Sequence, residues 1–333
     1  RGRALRDPGR LSRAQGCMIG QLAGDSLGSL VEFQTPERIA TIHPDGVTRL
    51  ETGGVWGTLA GQPTDASEMA LVLARSMIRT GRYDSDQAAR AYLAWFRSRP
   101  FDMGSTTSGV LAHADRRVAE GQSSGEACRS SANGVSQSNG ALMRVSPVGI
   151  ACEPEQAYEE GGRDSGLTHS HTVCREASAL YCAAISQAIR TGDGAQAVYD
   201  WTAELAARRF VSQPVAGALS SARHAAPPGY LDRQGWVLTA LQNAFYQLLH
   251  ASGPAEGVID TVARGGDADT NGATAGALLG AVYGFRRFPA QWVDRVLTVR
   301  PLRGLPGVNR PRPTACWPTD AMYLAELLAT LGS

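Results

Sequence analysis

The sequence contains no lysine, so all 32 of its basic residues are arginine. The 31 acidic residues nearly balance them, and the formal net charge is +1. No block of one sign is long enough to neutralise a row of phosphates, which argues against nucleic acid as a partner. The missing lysine is better explained by the codon usage of a GC-rich genome than by function.

Long apolar runs and paired cysteines are also lacking. No stretch approaches the roughly 18 residues that cross a bilayer, and the opening residues RGRALRDPGRLSRAQ contain no apolar core of a signal peptide. We therefore expect a soluble protein without a membrane span or an export signal. The six cysteines form no C-x-x-C pair and no Cys/His spacing typical of a zinc site, which favours a reduced, cytoplasmic protein; we further expect a monomer.

What the sequence does contain is helical periodicity. At 333 residues and 43% hydrophobic, it is long enough for one large core, and alternating strand patterns are nearly absent. Apolar residues at helical spacing predict helices over residues 67–80, 86–97, 172–191, 195–208, 235–250 and 271–283. Segments rich in Gly, Ser and Asn predict loops over 53–61, 121–139, 159–171 and 265–271. These patterns indicate a single all-α domain over residues 14–333, preceded by a basic leader over 1–13 that is either a frayed terminus or an arm for an acidic partner.

Two acidic clusters, far apart in the chain, each stand at the start of a predicted helix. The first is Thr64-Asp65-Ala66-Ser67-Glu68, and the second is Asp267-Ala268-Asp269-Thr270. Asp and Thr at such positions are commonly N-caps. Carboxylates and hydroxyls on adjoining turns are also the ligands that hard divalent cations prefer. Since both clusters share this composition in a chain with few charges, we favour a metal site.

Three further segments are candidates for a binding site. Gly20, Gly24 and Gly28 recur at helical spacing before Glu32, which is typical of close packing. The amide-rich stretch 138–144 is either a plain turn or a loop that binds phosphate or ribose oxygens. His169 and His171 are two residues apart and would not share a helix face, so we interpret His169 as a loop donor or a packing residue.

Taken in this order, these segments resemble the ADP-ribosylglycohydrolases, enzymes that remove ADP-ribose from arginine and other acceptors. The likeness covers nearly the whole chain and is carried by these stretches: GCMIGQLAGDSLGSLVEF at 16–33, residues 61–71, DMGSTT at 102–107, SNGALMRVSPVG at 138–149, residues 168–171, residues 229–236, GGDADTNGATAGALLG at 265–280, and WPTD at 317–320. The paired acidic motifs make the resemblance specific.

The resemblance implies an all-α fold with two divalent cations, Mg²⁺ or Mn²⁺, at the base of a cleft that takes ADP-ribose or an ADP-ribosylated protein. It implies metal ligation by Thr64, Asp65, Asp267, Asp269 and Thr270. Glu32 matches the mobile glutamate near the bond to be broken, with Asp65 and Asp102 as further catalytic residues. Asp102 and Gly104 match the acceptor side, and the diphosphate and adenosine would be held by Ser138, Asn139, Gly140, Met143 and His169.

One position departs from the family pattern, Thr-Asp-Asp-Ser/Thr. Here the second Asp, a metal ligand in the family, is replaced by Ala66, which offers no oxygen. Two explanations remain open: an engineered inactivation, or a natural member that lost catalysis and kept binding. The first leaves an impaired hydrolase of arginine-linked ADP-ribose. The second leaves an ADP-ribose-binding or immunity protein that occludes an ADP-ribosyltransferase toxin.

Overall fold

Every regular element of the structure, a computed structural model that describes residues 7–331, is helical. Within that range there are isolated bridges but no β-strand. The α-helices are α1 (Pro8–Gly28), α2 (Pro36–Ile42), α3 (Asp65–Thr80), α4 (Ser85–Arg97), α5 (Ser105–Ala119), α6 (Ser124–Ser131), α7 (Ser146–Ala151), α8 (Pro154–Ser165), α9 (Thr172–Thr191), α10 (Ala195–Arg208), α11 (Gln213–Ser221), α12 (Val237–His250), α13 (Pro254–Ala263), α14 (Ala268–Tyr283), α15 (Ala290–Thr298) and α16 (Ala321–Ala329); short 3₁₀ helices span Leu142–Arg144, Phe285–Arg287 and Thr314–Cys316.

The predicted fold class is confirmed. Buried apolar side chains from helices throughout the described chain form one continuous core, as expected of a single domain. All six predicted helices are present, and α9 and α10 have the predicted bounds. No helix in residues 7–331 is long and apolar enough to cross a membrane, and the six cysteines are buried and free.

Three of the predicted loops are wrong in part, since α6 lies within 121–139, the end of α8 lies within 159–171, and α14 begins inside 265–271. The Gly, Ser and Asn content of these segments has a packing cause. A Cβ on Gly161 would come within 2.8 Å of the Cys182 sulfur, so glycine lets α8 lie directly on α9. In α6, the Ser123 hydroxyl accepts the Glu126 amide and caps the helix.

Of the predicted leader, residues 1–6 lie outside the described part of the chain. Residues 8–13 are the first turns of α1, whose start is capped by the Asp7 carboxylate. Two arginines there are attached to the body of the protein, Arg10 to the Ala329 carbonyl at 3.1 Å and Arg13 to the Ile189 carbonyl at 2.9 Å. This part of the segment is therefore built into the fold.

Helices α1 and α14 lie antiparallel with their backbones in direct contact. A Cβ built on Gly20 would lie 2.0 Å from the Gly276 carbonyl oxygen, and one on Gly24 would lie 2.1 Å from that of Gly272. The same contact repeats one turn further on, between Gly16 and the Gly280 carbonyl at 2.3 Å. Glycine at every fourth position thus gives each helix a flat, backbone-lined stripe. The stripe brings the end of α1 against the start of α14, where the second acidic cluster lies.

We expect Gly24→Ala to destabilise the protein by roughly 1–3 kcal/mol or more, because the added methyl group meets backbone that cannot rotate away. The matched control is Gly109→Ala, in the exposed middle of α5, where a Cβ meets nothing within 4 Å. That change should be neutral or stabilising by about 0.5–1 kcal/mol, since alanine is the better helix former. Denaturant unfolding measures both variants, and equal effects would contradict the packing account.

Candidate active site

The start of α3 is held by a carboxylate from another helix, α1. Asp25 is fully buried; its Oδ1 accepts the Thr64 amide at 2.9 Å and its Oδ2 accepts the Ser67 amide at 2.9 Å. Since these amides have no partner within their own helix, Asp25 takes the place of an N-cap side chain. Thr64 itself makes no capping hydrogen bond. Thr64 thus stands at the N-cap position of α3, but its hydroxyl does not cap the helix.

The two acidic clusters meet at Thr64. Its hydroxyl oxygen lies 2.9 Å from Asp25 Oδ1 and 3.0 Å from Asp269 Oδ2, in a fully buried position. Asp267 also makes no side-chain cap at the start of α14, and the Thr270 amide donates to Asp269 Oδ1 at 2.8 Å. The structure thus brings together five oxygen-bearing residues that the sequence separates by about 200 positions, namely Thr64, Asp65, Asp267, Asp269 and Thr270.

Two more carboxylates join this cluster. Oxygen atoms of Glu32, Asp102 and Asp269 all lie within 4.8 Å of one another. Asp102 comes from the loop between α4 and α5, and that loop is attached to α3 because the Gly104 amide donates to Asp65 Oδ2 at 3.2 Å. Glu32 follows α1 and is only 3% exposed. The site therefore gathers acidic side chains from four separate segments.

The pKa values show how strongly these carboxylates are crowded. Burial, followed by the charges of Asp65 and Glu32, raises the pKa of Asp102 to about 10. Burial raises the pKa of Glu32 to about 8 against the opposing effect of the Trp56 hydrogen bond, and that of Asp65 to about 7. The pKa of Asp269 is also raised, by burial and then by the charge of Glu32. Such a cluster is stable in its charged form only when cations compensate it.

Divalent cations fit these residues. The ligand atoms that converge are carboxylate and hydroxyl oxygens, which suit hard ions such as Mg²⁺ or Mn²⁺. No cysteine or histidine is among the side chains that cluster with them in the described chain. The residue next to Asp65, Ala66, is fully buried and contributes only a methyl group. The site is thus an oxygen-rich cluster suited to a hard cation, and the side chain of residue 66 adds no oxygen to it.

A cavity of about 580 Å³ opens over the acidic cluster. Ten of the predicted site residues line it: Glu32, Asp65, Asp102, Gly104, Ser138, Asn139, Gly140, Met143, Asp267 and Thr270. Three predicted site residues do not line the cavity. Two of them, Thr64 and Asp269, lie beneath its floor. The cavity is large enough for a nucleotide-sized ligand.

The amide-rich loop is joined directly to the acidic cluster. The Asn139 side-chain amide donates to Asp267 Oδ2 at 2.8 Å, and the Asn139 backbone amide donates to the Gly235 carbonyl at 3.0 Å. A Cβ on Gly140 would lie 2.9 Å from the Thr107 hydroxyl, so glycine is needed for this close approach. The loop is therefore rigidly placed at the cavity wall.

His169, the remaining predicted binding residue, lies behind the wall. It is fully buried, with Nε2 at 2.9 Å from the Ser138 hydroxyl and Nδ1 at 2.8 Å from the Thr168 hydroxyl. Burial lowers the pKa of His169 to about 3, which keeps the imidazole neutral. In this structure His169 holds the Ser138 hydroxyl and does not line the cavity, so its position does not support the expected direct contact with a ligand.

Sequence reasoning missed several residues that shape the site. Asp25 stood within the glycine-spaced segment, and a carboxylate on a helix face otherwise lined by small and apolar residues was the available signal. Trp56 donates its indole N–H to Glu32 Oε2 at 2.6 Å, and its ring packs 5.9 Å from that of Phe101. Arg310 donates from Nε to the Trp56 carbonyl at 2.9 Å. No sequence pattern connected these three residues.

The sequence model of the ADP-ribosylglycohydrolase family matches residues 6–313 of this chain. The chain belongs to the ADP-ribosylglycohydrolase family. It is 30% identical over 289 residues to the ADP-ribosyl-(dinitrogen reductase) glycohydrolase of Rhodospirillum rubrum. The aligned region covers 85% of this chain and 90% of that protein. It is 25% identical over 295 residues to the ADP-ribosylarginine hydrolase Tri1 of Pseudomonas putida, covering 86% and 74% of the two chains.

A solved structure described as an ADP-ribosylglycohydrolase-related protein complex has the same fold, with a TM-score of 0.77 and 24% identity over 97% of this chain and 99% of its own. The family assignment made from the sequence motifs is thereby confirmed. As a class, these proteins are hydrolases of ADP-ribosyl groups.

The crowded carboxylates predict an unusual pH dependence for protein stripped of cations by a chelator. Glu32, Asp65 and Asp102 each have a pKa near 4 in the unfolded chain, but burial raises these pKa values to about 8, 7 and 10 in the folded protein, so only the folded state keeps these protons at neutral pH. Stability must then fall as the pH rises from about 4.5 to 8.

Thermal melts of the stripped protein across this range measure the effect. Asp102→Asn should reduce the fall, since the amide replaces the group with the most raised pKa, and saturating Mg²⁺ should remove most of it. A melting temperature that rises steadily from pH 4.5 to 8 without cations would contradict the burial of these carboxylates together.

Proposed function

We propose that this chain is built to hydrolyse the N-glycosidic bond between ADP-ribose and an arginine acceptor, and that it is impaired by Ala66. The observation that supports this best is the meeting of Glu32, Asp102 and Asp269 within 4.8 Å under a cavity lined by the 138–140 loop. The names of two relatives, a dinitrogen reductase glycohydrolase and an ADP-ribosylarginine hydrolase, agree with this reaction.

In this proposal, two Mg²⁺ or Mn²⁺ ions are held by Thr64, Asp65, Asp267, Asp269 and Thr270. When bound, such ions would supply positive charge that orients the ribose hydroxyl groups and acidifies the attacking water. The protein's own part is to orient these ligands. Asp25 does so by fixing Thr64, and Asn139 does so by its hydrogen bond to Asp267.

Hydrolysis places the hydroxyl group of water on the anomeric carbon and a proton on the departing acceptor, through an oxocarbenium-like transition state. Glu32 is the residue assigned to carry this proton. It is buried, one oxygen accepts the Trp56 indole N–H, and burial raises its pKa, which favours the protonated form that a proton donor needs. Asp102 lies beside Glu32, and the family resemblance assigns it to the acceptor side.

The other residues of the cavity wall support ADP-ribose as the part of the substrate that is bound. Ser138, Asn139, Gly140 and Met143 line the part of the cavity to which we assign the diphosphate and the adenosine, and His169 holds the Ser138 hydroxyl from behind. We propose a cytoplasmic monomer, consistent with six free buried cysteines. The second candidate, a silent ADP-ribose binder or an immunity protein acting on an ADP-ribosyltransferase toxin, is favoured by the one missing oxygen at residue 66.

ADP-ribose should stabilise the protein against heat when Mg²⁺ is present, because it binds only the folded state; at 100 times its Kd the gain is about 2.7 kcal/mol. AMP should give a smaller shift, as it lacks the distal ribose that reaches the cation site. Differential scanning fluorimetry measures both. No shift with ADP-ribose would contradict the assignment of the cavity.

Ala66→Asp should raise the rate of hydrolysis of ADP-ribosylated arginine, and a chelator should abolish the gain. Ala66→Asn is the matched control, since it supplies an oxygen without the charge and should give a smaller gain. In the Ala66→Asp background, Glu32→Gln should lower the rate roughly 10²–10⁴-fold while ADP-ribose affinity changes little. If Ala66→Asp binds ADP-ribose but shows no turnover, the chain is a binder, and the hydrolase proposal is wrong.

A further inference from the structure

A second cavity, of about 380 Å³, lies between α3, α4 and the segment that follows Arg312. We call it the arginine groove. It shares no lining residue with the cavity over the acidic cluster. Most of its lining is apolar, with Val72 from α3 and Ala91, Ala94 and Trp95 from α4. A groove of this volume and lining is suited to a small organic molecule.

The walls of the arginine groove are fixed to one another by hydrogen bonds. The Trp95 indole N–H of α4 donates to Glu68 Oε2 of α3 at 2.7 Å, and Trp95 and Glu68 are both buried. Arg312, at the start of the third wall, donates to each Glu68 oxygen at 2.7 Å. Arg75 of α3 holds the same wall further along, since its Nε donates to the Ala315 carbonyl at 3.0 Å. The groove is therefore formed in advance of any ligand, as binding pockets for small molecules usually are.

The charge of the arginine groove is positive. Three arginines line it, and one of them, Arg75, is neutralised by a carboxylate at 2.7 Å. The other two have weaker partners: Arg79 donates to the neutral side-chain oxygen of Gln87 at 3.3 Å, and the Arg90 guanidinium lies 3.9 Å from the Asp86 carboxylate. No acidic residue of the described chain lines the groove. Its charge is thus opposite to that of the carboxylate-lined cavity of the candidate active site, and it complements an anion.

We propose that the arginine groove is a second binding site, which takes a small organic anion with an apolar body, such as an aromatic carboxylate. The apolar body lies against Trp95 and the alanines of α4, and the carboxylate meets Arg79 and Arg90. Guanidinium groups bind carboxylates through paired N–H donors. Twelve described residues line the groove, whereas a stable protein interface takes roughly 20–30 residues a side. A small molecule therefore fits the groove better than the surface of a partner protein does.

The test compares naphthoate with naphthalenemethanol, which has the same rings without the negative charge. Both are titrated into the whole protein by isothermal titration calorimetry with EDTA present, so that no cation bridges an anion to the carboxylates of the active-site cavity. We expect naphthoate to bind roughly tenfold more tightly than the alcohol, because hydrogen bonds to charged groups are the stronger ones. The double variant Arg79→Gln/Arg90→Gln should reduce this preference to about twofold or less. Ala94→Phe, which fills part of the groove, should weaken the binding of both compounds.

Arg116→Gln/Arg208→Gln is the matched control, because it removes the same charge from exposed helix positions outside the groove. It should keep the full preference for naphthoate. Absence of binding, equal binding of the two compounds, or a preference that survives in Arg79→Gln/Arg90→Gln would overturn the proposal. Displacement of naphthoate by ADP-ribose in the presence of Mg²⁺ would do the same, since it would place the probe in the active-site cavity. A dimer of the chain that Ala94→Phe dissociates would also overturn it, because a second copy would then occupy the groove.

Discussion

The contact between the backbones of α1 and α14 is the constraint on which the site depends. Glycine faces carbonyl oxygen at successive turns, from Gly16 with Gly280 to Gly24 with Gly272. No larger residue allows two helices to lie this close. The contact fixes where α1 ends and where α14 begins, and these two ends carry Asp25 and the second acidic cluster. The position of the carboxylates is therefore set by residues that have no functional groups at all.

The like charges of the buried carboxylates lower the stability of the fold. The glycine contact between α1 and α14 and the apolar core must offset this cost. Six carboxylates with raised pKa values share one buried region, namely Asp25, Glu32, Asp65, Asp102, Asp267 and Asp269. Neutral side chains at these positions would cost less desolvation free energy on burial than carboxylates do. Such a concentration of like charge is expected where cations are to be bound.

The fold and the convergence of the two acidic clusters were predictable because they depend on local signals. Apolar spacing gave α9 and α10 to the residue, and the shared composition of two helix starts indicated that they belong together. Prediction failed where packing reversed a local preference, as at Gly161, a glycine inside a helix. It also failed at Trp56, Phe101 and Arg310, whose contact joins segments up to 254 positions apart. Only the tertiary fold brings such residues together.

The way in which Asp25 holds the start of α3 bears on how this chain could change over time. One Asp25 carboxylate oxygen accepts a hydrogen bond from the Thr64 amide, and the other accepts one from the Ser67 amide. The backbone on both sides of Ala66 is therefore fixed independently of the side chain at that position. Exchanging alanine for aspartate there alters one side chain and no helix. All alanine codons begin GC and the two aspartate codons begin GA, so half of the possible alanine codons are a single base from aspartate. A lineage could therefore pass between the two forms by one point mutation.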